Sequence, residues 1–407
     1  MKQTKIGDQN LKRKKQFDYI CNMNPERPFC LMPFIHYHVG NAGNVKACCV
    51  ANIPYGNCNK QAFNEIWQGE AINKLREKFK KGESDPRCAV CLKLEEAGGK
   101  SIRQETHERF PTFKGYEAIY QPIYFDIRFS NACNFACRTC WHGASSSWFP
   151  EAKQLKRSLG QSALLKNIND FENFISETGE ALFQAEEIYF AGGEPLMSEE
   201  HYALLHYLIE NKHTKLRLRY NTNFSVLEFK GHRILDYWKQ FEHVEILASI
   251  DAHGKLGEYI RKGFNWTKFI ENREAIRELS HIKFKIAPTI SILSIANLPE
   301  LYKTCLEQDV IRKEDFYINI LERPYYYNTK AIPSHIKNTI AKSFEAFYQW
   351  ANKNSIPQFV LKQFEECITY MQAEDLNQHW SMFLKETELF DKLREESSEE
   401  LKTVLGI

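Results

Sequence analysis

From residue 123 onward the chain alternates short apolar runs with longer stretches of helical period. The runs IYFDIRF (123–129), EEIYF (186–190), KLRLRY (215–220), VEILASI (244–250), KFKIAPTI (283–290) and FYINIL (316–321) have the length and the branched or aromatic content of strands. Between them, segments such as SEEHYALLHYLIENK and WTKFIENREAIRELS repeat apolar residues at helical spacing. Such alternation predicts parallel strands joined by right-handed crossovers, an α/β sheet or barrel. Six strands fall short of the eight that close a barrel, so the pattern predicts an open, partial (β/α)6 barrel over residues 120–325.

The flanks read differently. Residues 1–27 form a basic lead without the apolar stretch of a signal peptide. Residues 28–100 are rich in cysteine and turn residues: GNAGN (40–44) predicts a hairpin, AFNEIWQGEAINKLREKFKKG a helix closed by Gly82, and EEAGGKS (95–101) a linker. A helical C-terminal region is predicted over 333–407, opening with the amphipathic SHIKNTIAKSFEAFYQWANKN, and its charged tail from Ala373 is expected to be a solvated face.

Composition narrows the partners. A net charge of +2 and a pI near 7.9 predict no bulk attraction to nucleic acid. No run of about 18 apolar residues occurs, so no membrane span is expected. Twelve cysteines without an export signal point to metal binding or redox chemistry in a reducing, cytoplasmic compartment.

The polar and glycine-rich clusters fall where the predicted strands end, the rim at which parallel sheets bind ligands. NACNFACRTCWHG follows the first strand, AGGEP the second, NTN (221–223) the third, and SIDAHG closes the fourth. Cys133, Cys137 and Cys140 have the spacing C-x3-C-x2-C, one thiolate short of a closed tetrahedron. His142 would complete a zinc site; alternatively, three thiolates on a four-iron cube leave one iron open. A second set, Cys30, Cys48, Cys88 and Cys91, supplies four thiolates around the hairpin and helix, suited to zinc or to a cluster. Cys49 and Cys58 are alternative ligands for this site or else buried or incidental, and His36 and His38 are expected to sit on a hairpin's polar face.

The triad after one strand and GGEP after the next resemble the radical S-adenosylmethionine superfamily. That resemblance implies an open-iron [4Fe–4S] cluster on Cys133, Cys137 and Cys140, which cleaves S-adenosylmethionine to a 5′-deoxyadenosyl radical. It further implies that the backbone of Gly192, Gly193, Glu194 and Pro195 receives the methionine amine. Asn221, Asn223 and Ser249 match ribose and carboxylate positions, and Arg261 the carboxylate-pairing arginine. The family's bulky residue before the last cysteine is here Thr139, with Trp141 just after it. The four N-terminal thiolates, with NEIW and LR, resemble the twitch form of the SPASM domain, which implies a second, auxiliary [4Fe–4S] cluster.

The implied enzyme abstracts hydrogen from a small-molecule or peptide substrate and draws electrons from a flavodoxin or ferredoxin. A zinc-stabilised binding module and an S-adenosylmethionine-dependent methyltransferase are the alternatives. No general acid or base stands out. The loop LERPYYYN (321–328) offers Glu322 and Arg323 as polar anchors for substrate at the rim.

Overall fold

A computed structural model describes residues 29–96, 99–111 and 121–407. The basic lead, Cys21 and the centre of the expected 95–101 linker lie outside the described residues. The chain divides into two compact units, residues 1–129 with 166–189 and residues 130–165 with 190–407.

In the first unit, β1 (His36–Val39) and β2 (Asn44–Lys46) form the expected hairpin, with Ala42 and Gly43 in the left-handed region at its turn. A side chain at Gly43 would meet the Asn167 carbonyl at 2.9 Å, so the turn needs glycine for space as well as for φ. β3 (Pro54–Asn57) continues antiparallel from β2. The helix predicted after it is two helices, α1 (Phe63–Trp67) and α2 (Glu70–Lys80). They part at Gly69, whose backbone is extended and so close to the Glu65 carbonyl that a Cβ would sit 2.6 Å from it. Gly82 ends the second as predicted, at φ 74°, its N–H bonded to the Phe79 carbonyl.

α3 (Ala89–Glu96) and α4 (Ile102–Arg109) follow, the latter opened by a Ser101–Gln104 capping box. Next come β4 (Tyr124–Ile127), α5 (Phe171–Leu182) and β5 (Glu187–Phe190), the last at the edge of the unit. The strand order is β5-β4-β1-β2-β3, and β1 runs parallel to β4 with His36 opposite Tyr124 and His38 opposite Asp126. All eight residues of β1 and β4 are buried, so both faces of this pair are covered. Tyr37 packs on Phe63 and Phe125, at 5.1 and 5.9 Å between ring centres.

The second unit holds α6 (Glu199–Glu210) and three parallel strands, β6 (Arg217–Thr222), β7 (His243–Ala248) and β8 (Ile282–Ile286), in the order β8-β7-β6. The fifth predicted strand breaks at Ala287-Pro288, where proline supplies no N–H, and resumes as β9 (Thr289–Ile290). The sixth shrinks to β10 (Asn319–Ile320), parallel to β9. Just before it, the Gln363 side chain accepts from Ile318 N and donates to Phe316 O, taking backbone groups that a longer strand would pair. Helices α7 (Ser334–Lys353), α8 (Gln358–Gln372), α9 (Trp380–Arg394) and α10 (Glu399–Leu405) complete the chain. No helix among the described residues is long and apolar enough to cross a membrane.

Two sequence expectations fail here. The tail from Ala373 is a solvated face only in part: Glu386 pairs with Arg157, Asp391 and Glu396 with Arg138, and Arg394 with Glu151, at 2.6–2.8 Å. Phe390 adds an edge contact to Trp148. The 321–328 loop turns its aromatics to these helices, Tyr327 against Phe383 and Tyr325 stacked on His379. Glu322 and Arg323 are exposed, and Arg323 donates to the Tyr325 hydroxyl, so they do not form a buried anchor.

Candidate functional site

The loop after Ser130 is built by its own polar side chains. Asn131 Nδ2 donates to the His142 and Ala163 carbonyls, and its Oδ1 accepts from Leu165 N. Cys133 N donates to Ser146 Oγ, while Ser147 Oγ and Trp148 Nε1 donate to the Cys133 and Cys137 carbonyls. The thiols of Cys133, Cys137 and Cys140 lie within one another's electrostatic reach. Burial pushes the first and last up to about 12; it raises Cys137 too, against the pull of Arg261. Buried thiols of this kind release protons on taking up metal. His142 is not among the ligands: Nδ1 accepts from Leu159 N at 2.9 Å and Nε2 faces the Ala163 carbonyl at 3.1 Å, which leaves neither ring nitrogen a lone pair for an ion.

The GGEP loop lies directly against this one. Gly192 has φ 115°, and a Cβ on Gly193 would fall 2.2 Å from the Ala132 carbonyl oxygen. Gly193 N and Glu194 N donate to the Ser130 and Ala132 carbonyls. The Glu194 side chain faces inward, accepting from Thr222 Oγ1, Asn223 N and Leu196 N, and Pro195 opens the short turn that follows. Its burial pushes the carboxyl up to about 7 despite those hydrogen bonds. Glu194 is therefore the pin joining this loop to the end of β6. Gly193→Ala is expected to cost about 1–3 kcal/mol, since the obstructing atoms are backbone. A lowered urea midpoint checks it; an unchanged one means the two loops part without strain.

Asn221 presents a buried Oδ1 with no hydrogen-bond partner among the described residues. Asn223 is engaged: Nδ2 donates to Asn134 Oδ1 and lies 4.0 Å from Cys133 Sγ, while Oδ1 accepts from Ser225. Ser249 N donates to the Thr222 carbonyl at the end of β7. Arg261 sits opposite Cys137 in a two-residue antiparallel pairing, with Nη1 3.8 Å from the sulfur. Its Nε and Nη2 both face Asp251, each at 2.8 Å. The fork that the sequence reading reserved for a ligand carboxylate is thus occupied by Asp251, and Nη1 is the edge turned to the cysteines. Burial opposes the charge, but Asp251 and Cys137 hold the guanidinium above its usual range. Asp251 escaped the sequence reading although it stands within the quoted SIDAHG; no local spacing couples it to Arg261.

In the first unit, Cys30, Cys48, Cys88 and Cys91 line one cavity together with Met32, Phe79, Leu92, Ile102 and Arg103. Cys30 precedes β1, Cys48 follows β2, and Cys88 and Cys91 flank the start of α3. Burial raises all four thiols, and Cys30 feels the other three. Cys49 and Cys58 stand outside this lining. Residues 30–92 match the family model of the SPASM domain, described as an iron-sulfur cluster-binding domain. This segment is therefore similar to the SPASM iron-sulfur domain. The cavity is apolar but for the thiols, Ser84 and Arg103, whose guanidinium is held by Glu95 and the Phe29 carbonyl.

Two similar solved structures are native anSMEcpe with bound AdoMet (18% identity, TM-score 0.39) and native anSMEcpe with bound AdoMet and Cp18Cys peptide (17%, 0.40). The matches cover 56% and 57% of this chain, and 62% of each anSMEcpe chain. The chain thus spans under two thirds of the length of these structures. No curated protein matches it significantly.

Proposed function

We propose that the chain is a radical S-adenosylmethionine enzyme whose core is a partial (β/α)6 barrel and whose SPASM segment is of the twitch form. The reading rests on one observation: Gly193 packs without room for a Cβ against the residue preceding Cys133. A three-thiol loop and a glycine loop are thereby fixed side by side at strand ends. A [4Fe–4S] cluster with an open iron supplies reductive cleavage of S-adenosylmethionine to a 5′-deoxyadenosyl radical when bound.

The chain's residues hold and orient. Cys133, Cys137 and Cys140 would ligate the cluster. Gly193 and Glu194 turn their N–H groups toward the cysteine loop, which leaves carbonyl oxygen as what the glycine loop can offer an ammonium. Asn221 Oδ1 is a buried acceptor suited to a ribose hydroxyl. Asn223 and Ser249 act closer to the scaffold than the sequence reading had them. Arg261 would meet a carboxylate through Nη1 alone. In the SPASM segment four thiolates would ligate an auxiliary cluster whose role is electron transfer.

Spacing favours clusters over zinc. Ligands of one tetrahedral Zn(II) at about 2.3 Å stand about 3.8 Å apart. Among the described residues, the set that brings three ligand atoms within 4.8 Å contains no cysteine. The substrate would be a peptide or small molecule, the reductant a flavodoxin or ferredoxin, and the compartment a reducing cytoplasm.

Anaerobic reconstitution followed by incubation with dithionite and S-adenosylmethionine tests the reading. Release of 5′-deoxyadenosine is expected. S-adenosylhomocysteine as sole product would make the protein a methyltransferase, and a colourless, zinc-loaded chain without turnover a binding module.

A further inference from the structure

His36 and His38, expected on a solvated hairpin face, are buried, with 1% and 3% of their surface exposed. Their strand β1 pairs with β4 in parallel, and this sets Asp126 directly opposite His38. One ligand atom from each of His36, His38 and Asp126 falls within 4.8 Å of the other two. Asp126 itself is 1% exposed.

Of the three, His36 is held in a way that leaves a ligand atom without a partner. His36 Nδ1 lies 3.2 Å from the Ala47 carbonyl, so that nitrogen carries the proton and Nε2 the lone pair. That Nε2 is buried and has no hydrogen-bond partner among the described residues. The Tyr124 ring, 4.3 Å away centre to centre, fixes the plane of His36. Asp126 Oδ1 faces Arg128 Nε at 3.4 Å, and Oδ2 faces His38 Nδ1 at 2.8 Å. The latter is a hydrogen-bond length; ligands of a tetrahedral ion with bonds of about 2.05 Å stand about 3.3 Å apart, so taking up an ion displaces the shared proton and widens this pair by about 0.5 Å.

We propose that His36, His38 and Asp126 form a mononuclear site for a borderline divalent ion such as Zn(II), separate from the seven cluster cysteines. Two neutral imidazoles and one carboxylate are a donor set that such ions prefer, and a carbonyl and a guanidinium orienting the ligands from behind are the usual outer support. Arg128 already balances Asp126, so a dication here retains positive charge. Three side chains fill three of the four positions of a tetrahedral ion, and the fourth goes to water or to an anionic ligand.

The test uses the full chain after anaerobic cluster reconstitution, incubated with zinc sulfate and desalted. The parent is expected to retain about one zinc per chain beyond its iron, with an X-ray absorption first shell of nitrogen and oxygen only. His36→Gln, which can still donate to the Ala47 carbonyl, and Asp126→Asn are each expected to lose at least four fifths of that zinc at unchanged iron content. If Asp126→Asn fails to fold, His36→Gln and the parent's first shell carry the test. No retained zinc, a sulfur-containing shell, or equal retention in a folded variant would each overturn the site and leave these residues a hydrogen-bonded pair with a packed neighbour. The readout does not depend on S-adenosylmethionine cleavage, so its failure is distinct from failure of the proposed function.

Discussion

With Cys133, Cys137 and Cys140 all replaced by Ala, the reconstituted chain is expected to hold about four irons in place of about eight, and to release no 5′-deoxyadenosine under dithionite. The reason is geometric: the three thiols share one loop, whose hydrogen bonds to Ser146, Ser147 and Trp148 do not need the sulfurs. The loop should keep its shape while losing its ligands. The converse variant, Cys88→Ala with Cys91→Ala, is expected to remove the other four irons and leave S-adenosylmethionine cleavage uncoupled from any substrate. Iron analysis and chromatography of the nucleoside decide both. Cleavage surviving the triple change would sink the core assignment, and an unchanged iron count in the double variant would show that the SPASM cavity holds no cluster.

The largest stability effect is expected at Arg138. This side chain lies between Cys137 and Cys140 in sequence and is fully buried, bonded to Asp391 and Glu396 and stacked on Tyr259 at 3.8 Å. Arg138→Met keeps the length but leaves two carboxylates facing each other beside an apolar stem. Removing one partner of a buried ion pair costs about 3–5 kcal/mol, and the low end applies because both carboxylates keep some contact with water. The urea midpoint should fall accordingly, and iron retained at the triad should fall with it, since the loop loses its tie to α9. A Met variant as stable and as iron-rich as the parent would mean that the tail contributes nothing to the cluster loop.

How legible this was depends on whether a feature's partner is near in sequence. The runs at 123–129 and 186–190 contain the strands observed, and those at 215–220 and 244–250 overlap theirs to within two residues, because apolar alternation reports burial of a residue's own face. The hairpin turn and the Gly82 stop were readable for the same local reason. Polar residues with distant partners were misread. His36 and His38 alternate with apolar neighbours, which ordinarily marks a solvated face, but β4 and its Asp126 cover that face. The charged tail pairs with residues more than 220 positions earlier, and nothing in its own spacing says so. Arg261 was singled out by the family resemblance, whereas Asp251, which holds it, carries no such mark.

The β1–β4 pairing also bears on the order in which the protein can assemble during synthesis. The hairpin and the four SPASM cysteines leave the ribosome first and can close on one another by short-range contacts. β1, buried along its whole length in the finished molecule, then waits with one edge unpaired until residues 124–127 emerge. An apolar edge held open is a template for wrong partners. That edge is exposed for as long as it takes the chain to grow from Val39 to Ile127.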